Sequence, residues 1–284
     1  DATGNTFGGV ATADLTDAQK FALEPRMFHR GRSGRNGVID YVTGEQIVTS
    51  GDILGNVPGT ISSAIAAASA GNIVRVGPGT FAEDVVVDKA LTLQGTGAGS
   101  STISGPIGGG TSTVQIAAPG VTVDGFTVTR AGNNPVDWNL GTLNLAGISI
   151  QGLAITGATI SNNEITGNRT AIDINNSGGH NVRNNVITNN HTGLIFRNQT
   201  DGMTVTENAI TDNRTVGILF LDASTGTNSP LQQALGGTFS NNNISGNWYA
   251  QVVDRQTGGS LPAPGANPKN FINNWLGTTT PVVT

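Results

Sequence analysis

Cysteine is absent from the 284-residue chain, which excludes disulfide staples and any metal site built on thiolates. Charge is scarce too. Lys, Arg, Asp and Glu make up 12% of the residues, about half the usual share of a globular domain. The net charge is −5 with a pI near 5.0, and no basic patch stands out, so no nucleic-acid partner is expected. No run of 18 apolar residues occurs, so no transmembrane helix is expected. What the chain has in quantity is glycine, 41 residues, together with Thr, Asn, Val and Ile. That mixture suits β-strands broken by many turns. The chain begins at Asp1 rather than Met. This suggests a processed product that has lost a signal peptide, and with the lack of cysteine it fits a secreted bacterial protein.

Three regions follow from the pattern. Residues 1–56 form an N-terminal extension, a possible assembly segment. Asp14 to Phe28 opens with cap-like Asp and Thr and predicts a short helix broken at Pro25, and His29 to Gly37 is a basic, Gly-rich loop. Val38–Val42 and Glu45–Thr49 then alternate like a hairpin around Thr43-Gly44. Residues 57–277 form the main body. In it, Ile61, Ala64, Ile65 and Ala68 fall at helical spacing until Gly71 ends the helix. Short apolar runs follow at Ile73–Val76, Val85–Val87 and Leu91–Leu93. Residues 278–284 are an extended tail.

The body repeats itself. An apolar-x-x-Asn-x-apolar unit recurs as Ile160/Asn163/Ile165, Val182/Asn185/Ile187, Val205/Asn208/Ile210 and Phe239/Asn242/Ile244. A degenerate copy stands at Phe271/Asn274/Leu276, and an earlier one, Val123/Phe126/Val128, has Phe in place of Asn. The asparagines are spaced 22 and 23 residues apart and then 34 and 32, so extra loops enter late. A period near 22 with short strands and no helices is too short for a propeller blade and fits one coil of a parallel β-helix, a solenoid whose coils stack by strand pairing. Asn163, Asn185, Asn208, Asn242 and Asn274 would then form a ladder at a bend, tolerant of left-handed geometry and able to bond up and down the stack. Asn168, Asn190, Asn213 and Asn247 make a second column, with Thr166, Thr188, Thr211 and Ser245 as a hydroxyl column beside it. The glycosylation-type triplet Asn168-Arg169-Thr170 is read as part of this scaffold.

The stretch from Thr60 to Gly95, "TISSAIAAASAGNIVRVGPGTFAEDVVVDKALTLQG", resembles the opening of right-handed parallel β-helix proteins of the pectate-lyase-like superfamily, in which an amphipathic helix caps the first coil. The later N-x-I-T-x-N coils resemble the superfamily's generic repeat, and "FALEPRMFHR…GVIDYV" is similar to a stretch that precedes such helices in large secreted bacterial surface proteins. The resemblance implies an all-β, right-handed parallel β-helix with an N-terminal capping helix and a small extension. It leaves the function open, because this fold carries enzymes and non-enzymes alike.

Glycosidases of the fold need two neighbouring carboxylates, and the lyases need clustered carboxylates for calcium. Here Asp173 stands alone in an outward column that reads Ser149, Asp173, Ile195, Leu219, so it is the one catalytic candidate, with Arg197 within reach for an ion pair. Asp222 and Asp254 sit at strand ends. His29, His180 and His191 follow no metal spacing, so no cofactor is expected. Calcium would come only from the resemblance. The residues after the second Asn column are Arg169, His191, Arg214 and Trp248, three basic and one aromatic. Stacked in register they would form an exposed stripe suited to an acidic polysaccharide. Ile195 and Leu219 suggest an apolar contact surface beneath the loops Asn133–Asn144 or Ser224–Gly236. No second capping helix follows Leu276, which suggests head-to-tail self-association. The reading is a secreted or cell-surface structural or adhesive protein, a unit of an extracellular filament or layer that binds polysaccharide. The alternative is a carbohydrate-active enzyme, a polysaccharide lyase or glycoside hydrolase.

Overall fold

The structure, a computed structural model, describes residues 2–27, 39–51, 59–132, 145–221, 234–256 and 268–279. The chain winds as a right-handed parallel β-helix. Among the described residues, three parallel sheets of nine, seven and seven strands run along it. Each coil contributes one strand to each sheet in turn, as in Thr159–Ser161, Glu164–Thr166 and Thr170–Asn175. The next coil places Asn181–Arg183, Val186–Thr188 and Thr192–Arg197 directly against them. Short strands suffice because each pairs with the strands of the coils above and below, about 4.8 Å away.

Alternation sorts the side chains. The inward column of the first sheet runs Val74, Leu93, Val123, Ile160, Val182, Val205, Phe239, Phe271. The second sheet contributes Phe81, Ile103, Val128, Ile165, Ile187, Ile210 and Ile244. The third presents Ile148, Ile172, Leu194, Ile218 and, two residues along, Ile150, Ile174, Phe196, Phe220. These columns merge into one apolar core. Toward the C-terminal end the core turns aromatic, with Phe196 stacked on Phe220 at 5.3 Å and Phe239 on Phe271 at 4.6 Å. The column through Phe220 ends at Asp254. Lys269 reaches over the Phe220 ring at 5.1 Å and pairs with Asp254 at 3.2 Å. In this column a charged pair therefore follows the last apolar residue.

The other end is closed by helix α2 (Ile61–Ala67), which inserts Ile61, Ala64 and Ile65 into the core. The first coil caps both of its termini. Glu83 accepts from the Ile61 and Ser62 N–H groups at 2.7 and 3.0 Å, and the Lys89 ammonium donates to the Ile65, Ala66 and Ala68 carbonyls at 2.8–3.0 Å. These bonds satisfy groups a short helix would leave open, with each charge matched to the helix dipole.

In the extension, helix α1 (Asp17–Leu23) starts at a Thr16/Gln19 capping box. It packs Phe21 and Leu23 on a small cluster of Leu15, Tyr41, Val42 and Ile47. Glu45 ties this unit to the solenoid by accepting from the Lys20 ammonium and the Arg75 Nε, both at 2.8 Å. One local expectation is corrected. Glu45–Val48 is not the second strand of a hairpin but pairs in parallel with Ile73–Val76 as the outermost strand of the first sheet. A turn signal at Thr43-Gly44 cannot reveal a partner 28 residues away. The boundary expected at residue 56 therefore falls after a strand of the solenoid. The basic loop His29–Gly37, the loop Asn133–Asn144, most of Ser224–Gly236 and most of the tail lie outside the described residues.

Candidate functional site

From Thr159 onward, the bends on either side of the second sheet are built the same way. A residue with positive φ is followed by a buried Asn. The left-handed residue is not the ladder Asn itself, as the sequence suggested, but its predecessor: Asn162, Asn184, Glu207, Asn241 and Asn273 at the first bend, with φ from 55° to 59°. The kink turns the next side chain inward, under the coil. There Asn163 Oδ1 accepts from the Phe126 N–H, Asn185 Oδ1 from the Asn163 N–H and Asn208 Oδ1 from the Asn185 N–H, at 2.9–3.0 Å. Asn242 and Asn274 continue the series at 2.9 Å. The amide nitrogens donate to backbone carbonyls of the preceding coil, such as Asn208 Nδ2 to Val182 O at 2.9 Å. Asn168, Asn190, Asn213 and Asn247 repeat the arrangement at the second bend.

The residues that follow this second column occupy the corner leading into the third sheet. Backbone bonds set their register: His191 N–H to Asn168 O, Arg214 N–H to Asn190 O and Trp248 N–H to Asn213 O, at 2.8–3.0 Å. Arg169, His191, Arg214 and Trp248 therefore lie on successive coils, but they do not form a uniformly exposed stripe. His191 is buried, 6% exposed, and Arg169 is half-buried. The Arg169 guanidinium lies 3.2 Å from His191 Nδ1 and packs beside Thr192. Arg214 is exposed, Trp248 is 80% exposed, and Tyr249 beside it is 61% exposed. Arg255 stands 5.9 Å over the Tyr249 ring. Tyr249 and Arg255 escaped the sequence reading, because one lies beside the repeated column and the other ends the last strand of the sheet.

On the outer face of the third sheet, Arg197 reaches one coil back to Asp173 in a two-pronged ion pair. Arg197 Nε donates to Oδ1 at 2.8 Å, and an Nη2–Oδ2 contact completes it. Burial pushes the Asp173 carboxyl above its usual pKa, while Arg197 and, more remotely, Arg169 pull it down. Burial lowers the pKa of Arg169, opposed by Asp173. Burial and the Arg169 charge hold His191 down to about 4. The coil neighbours of Asp173 are Ser149 and Ile195, so no second carboxylate stands directly above or below it. Ile195, though outward, is 8% exposed, and the half-buried Leu219 lies beside it. Asp222 and His29 lie outside the described residues, and Asp254 is engaged with Lys269. His180 is buried at another corner. Its Nδ1 accepts from the Ala158 N–H at 3.1 Å, and Nε2 lies 2.8 Å from Ser177 Oγ.

Residues 108–259 match a family model described as "Periplasmic copper-binding protein (NosD)", just over half of the chain. No curated protein matches it. Among solved structures, pectin methylesterase PemA from Erwinia chrysanthemi superposes with a TM-score of 0.54 at 14% identity, over 84% of this chain and 90% of that one. Escherichia coli YbhC gives 0.53 at 14% identity, over 97% of each chain. A pectin methylesterase in complex with a hexasaccharide gives 0.50 at 13% identity, over 78% of this chain and 92% of that one. At these identities the likeness is one of fold. The residues present do not fit the copper of the family's description. Among the described residues no three His, Cys, Asp or Glu side chains converge. His180 has both ring nitrogens in hydrogen bonds, and His191 lies beside the Arg169 charge.

Proposed function

The chain belongs to the NosD family, and from that premise we propose that it is a periplasmic β-helix protein that binds acidic polysaccharide at the corner carrying Arg169, Arg214 and Trp248. The observation behind this reading is the exposed Trp248 ring one coil from the exposed Arg214, with Tyr249 and Arg255 alongside. An indole face offers a stacking surface for sugar C–H groups, and a guanidinium offers a charge-assisted pair for a carboxylate. The hexasaccharide in complex with a structurally similar pectin methylesterase supports this fold as a carrier of a bound oligosaccharide. A structural role with head-to-tail contact between copies belongs to the proposal as well. A partner copy at the C-terminal end would have to answer the Asp254–Lys269 charge pair, and a monomer by light scattering at high concentration would remove this part.

Polygalacturonate titrated into the protein should quench the exposed Trp248 fluorescence. Arg214→Ala should weaken binding about 10-fold or more, as expected for a lost charge-assisted bond, and Trp248→Ala should weaken it similarly. Unchanged binding in both variants refutes the reading. Release of unsaturated or reducing sugars, abolished by Asp173→Ala, would replace it with the enzyme reading.

A further inference from the structure

We infer that this chain, although its family is described as copper-binding, holds no copper, because the His and Met side chains among its described residues are committed to the scaffold. Cu(I) takes thiolate, thioether and imidazole ligands, and Cu(II) takes imidazole together with further nitrogen or oxygen donors, which do not converge into a cluster among the described residues. The chain has no Cys, two Met and three His. Met203 is 1% exposed within the core, and Met27 packs against the apolar cluster of the extension. At His180 the Ala158 N–H bond requires a lone pair on Nδ1. The proton therefore sits on Nε2 and is donated to Ser177 Oγ, which in turn donates to the Ile155 carbonyl. Neither nitrogen is left for a metal, and opening the ring to one would strand a buried backbone N–H. At His191 the guanidinium of Arg169 lies 3.2 Å from Nδ1, so a cation bound to this ring would share its surroundings with a fixed positive charge. The two rings occupy different bends, one ahead of the strand Asn181–Arg183 and the other ahead of Thr192–Arg197, so they cannot chelate together. The third, His29, is a single imidazole, one ligand where a protein copper site uses several. The corner at Arg169 is thus suited to anions and hostile to cations.

The test uses copper alone on the full chain. The protein is incubated with Cu(II), and anaerobically with Cu(I) against a bathocuproine chelator, then desalted and assayed for metal. Wild type, His29→Ala and His191→Ala are compared, and histidine ring NMR signals are followed for paramagnetic broadening. The expected results are copper far below one equivalent in all three proteins, an unmoved thermal midpoint, and unbroadened signals from His180 and His191. One equivalent of copper that survives desalting overturns the inference, whichever variant loses it. The polysaccharide reading can fail without affecting this result, since no sugar is present in the assay.

Discussion

Truncating the middle of an asparagine ladder should cost far more than truncating its end. In Asn208→Ala the side chain that disappears takes part in five hydrogen bonds. It donates to Val182 O, Thr206 O and Asn242 Oδ1 and accepts from the backbone N–H and the side-chain amide of Asn185, all at 2.9–3.0 Å. The Asn185 amide keeps the Ile160 and Arg183 carbonyls, so the group truly stranded is the Asn185 backbone N–H. A buried donor without a partner costs about 1–3 kcal/mol, and the bonds lost to carbonyls add about 1. The sum is about 3 kcal/mol. Unfolding entropy of about 2.1 cal/mol/K per residue over 284 residues converts this to a fall of about 5 °C in thermal midpoint. Asn274→Ala removes only the last amide, which accepts from Asn242 and donates to Phe239 O at a half-exposed position. Water can replace it, so less than half the cost is expected. Calorimetry and urea titration of both variants measure the difference, and hydrogen exchange should show faster exchange at the Asn185 N–H. Equal losses at the two positions, or a loss under about 0.5 kcal/mol at Asn208, would refute the reasoning.

Acid should act through the buried histidines. Burial holds His180 down to about 4 from a usual 6.5, so the unfolded chain takes up its proton first. Stability is then whole above pH 6.5 and falls as pH drops from 6.5 toward 4, by about 3 kcal/mol for this residue. His191 adds a second proton in the same window. Urea midpoints across that window should show a two-proton slope in wild type and a one-proton slope in His180→Gln; an unchanged slope would contradict the assignment. Gly193→Ala would place a Cβ 2.2 Å from the Gly217 carbonyl on the adjacent coil. It should destabilise by about 3 kcal/mol, and a neutral effect by thermal melting would show that the coils can part there.

The fold was legible because one physical constraint, strand pairing between coils, repeats in the sequence at a near-constant interval. The spacing of Asn163, Asn185 and Asn208 marks the coil length directly, and the Ile and Val on either side mark the inward faces. What escaped were features set by neighbours distant in sequence. Glu45–Val48 looks like half a hairpin by its alternation, yet it takes its partner from the first coil. Asn tolerates left-handed geometry, which predicts it on the ladder asparagines, but these keep ordinary geometry and the kink falls one residue earlier, at Asn162 or Asn184. His191 looked exposed because its column is exposed at Arg214 and Trp248, whereas in its own coil it is buried beside Arg169. The pairing of Asp173 with Arg197 was readable from their columns. Its two-pronged form depends on rotamers the sequence does not encode.

The amide ladders also set the arithmetic by which such a protein can change length. Each interior ladder Asn, such as Asn185, Asn190 or Asn208, receives from the coil on one side and gives to the coil on the other, so a whole coil added or removed inside a ladder leaves these amides satisfied. A change of any other size must be absorbed outside the ladder. Both ladders already show this, since Asn208 bonds to Asn242 across 34 residues and Asn213 to Asn247 across 34, with the same 2.9–3.1 Å contacts as their neighbours. Lengthening the connection between coils leaves the frame untouched. New chemistry can therefore be tried in the connections at little cost to the scaffold, while the number of coils changes only in whole units.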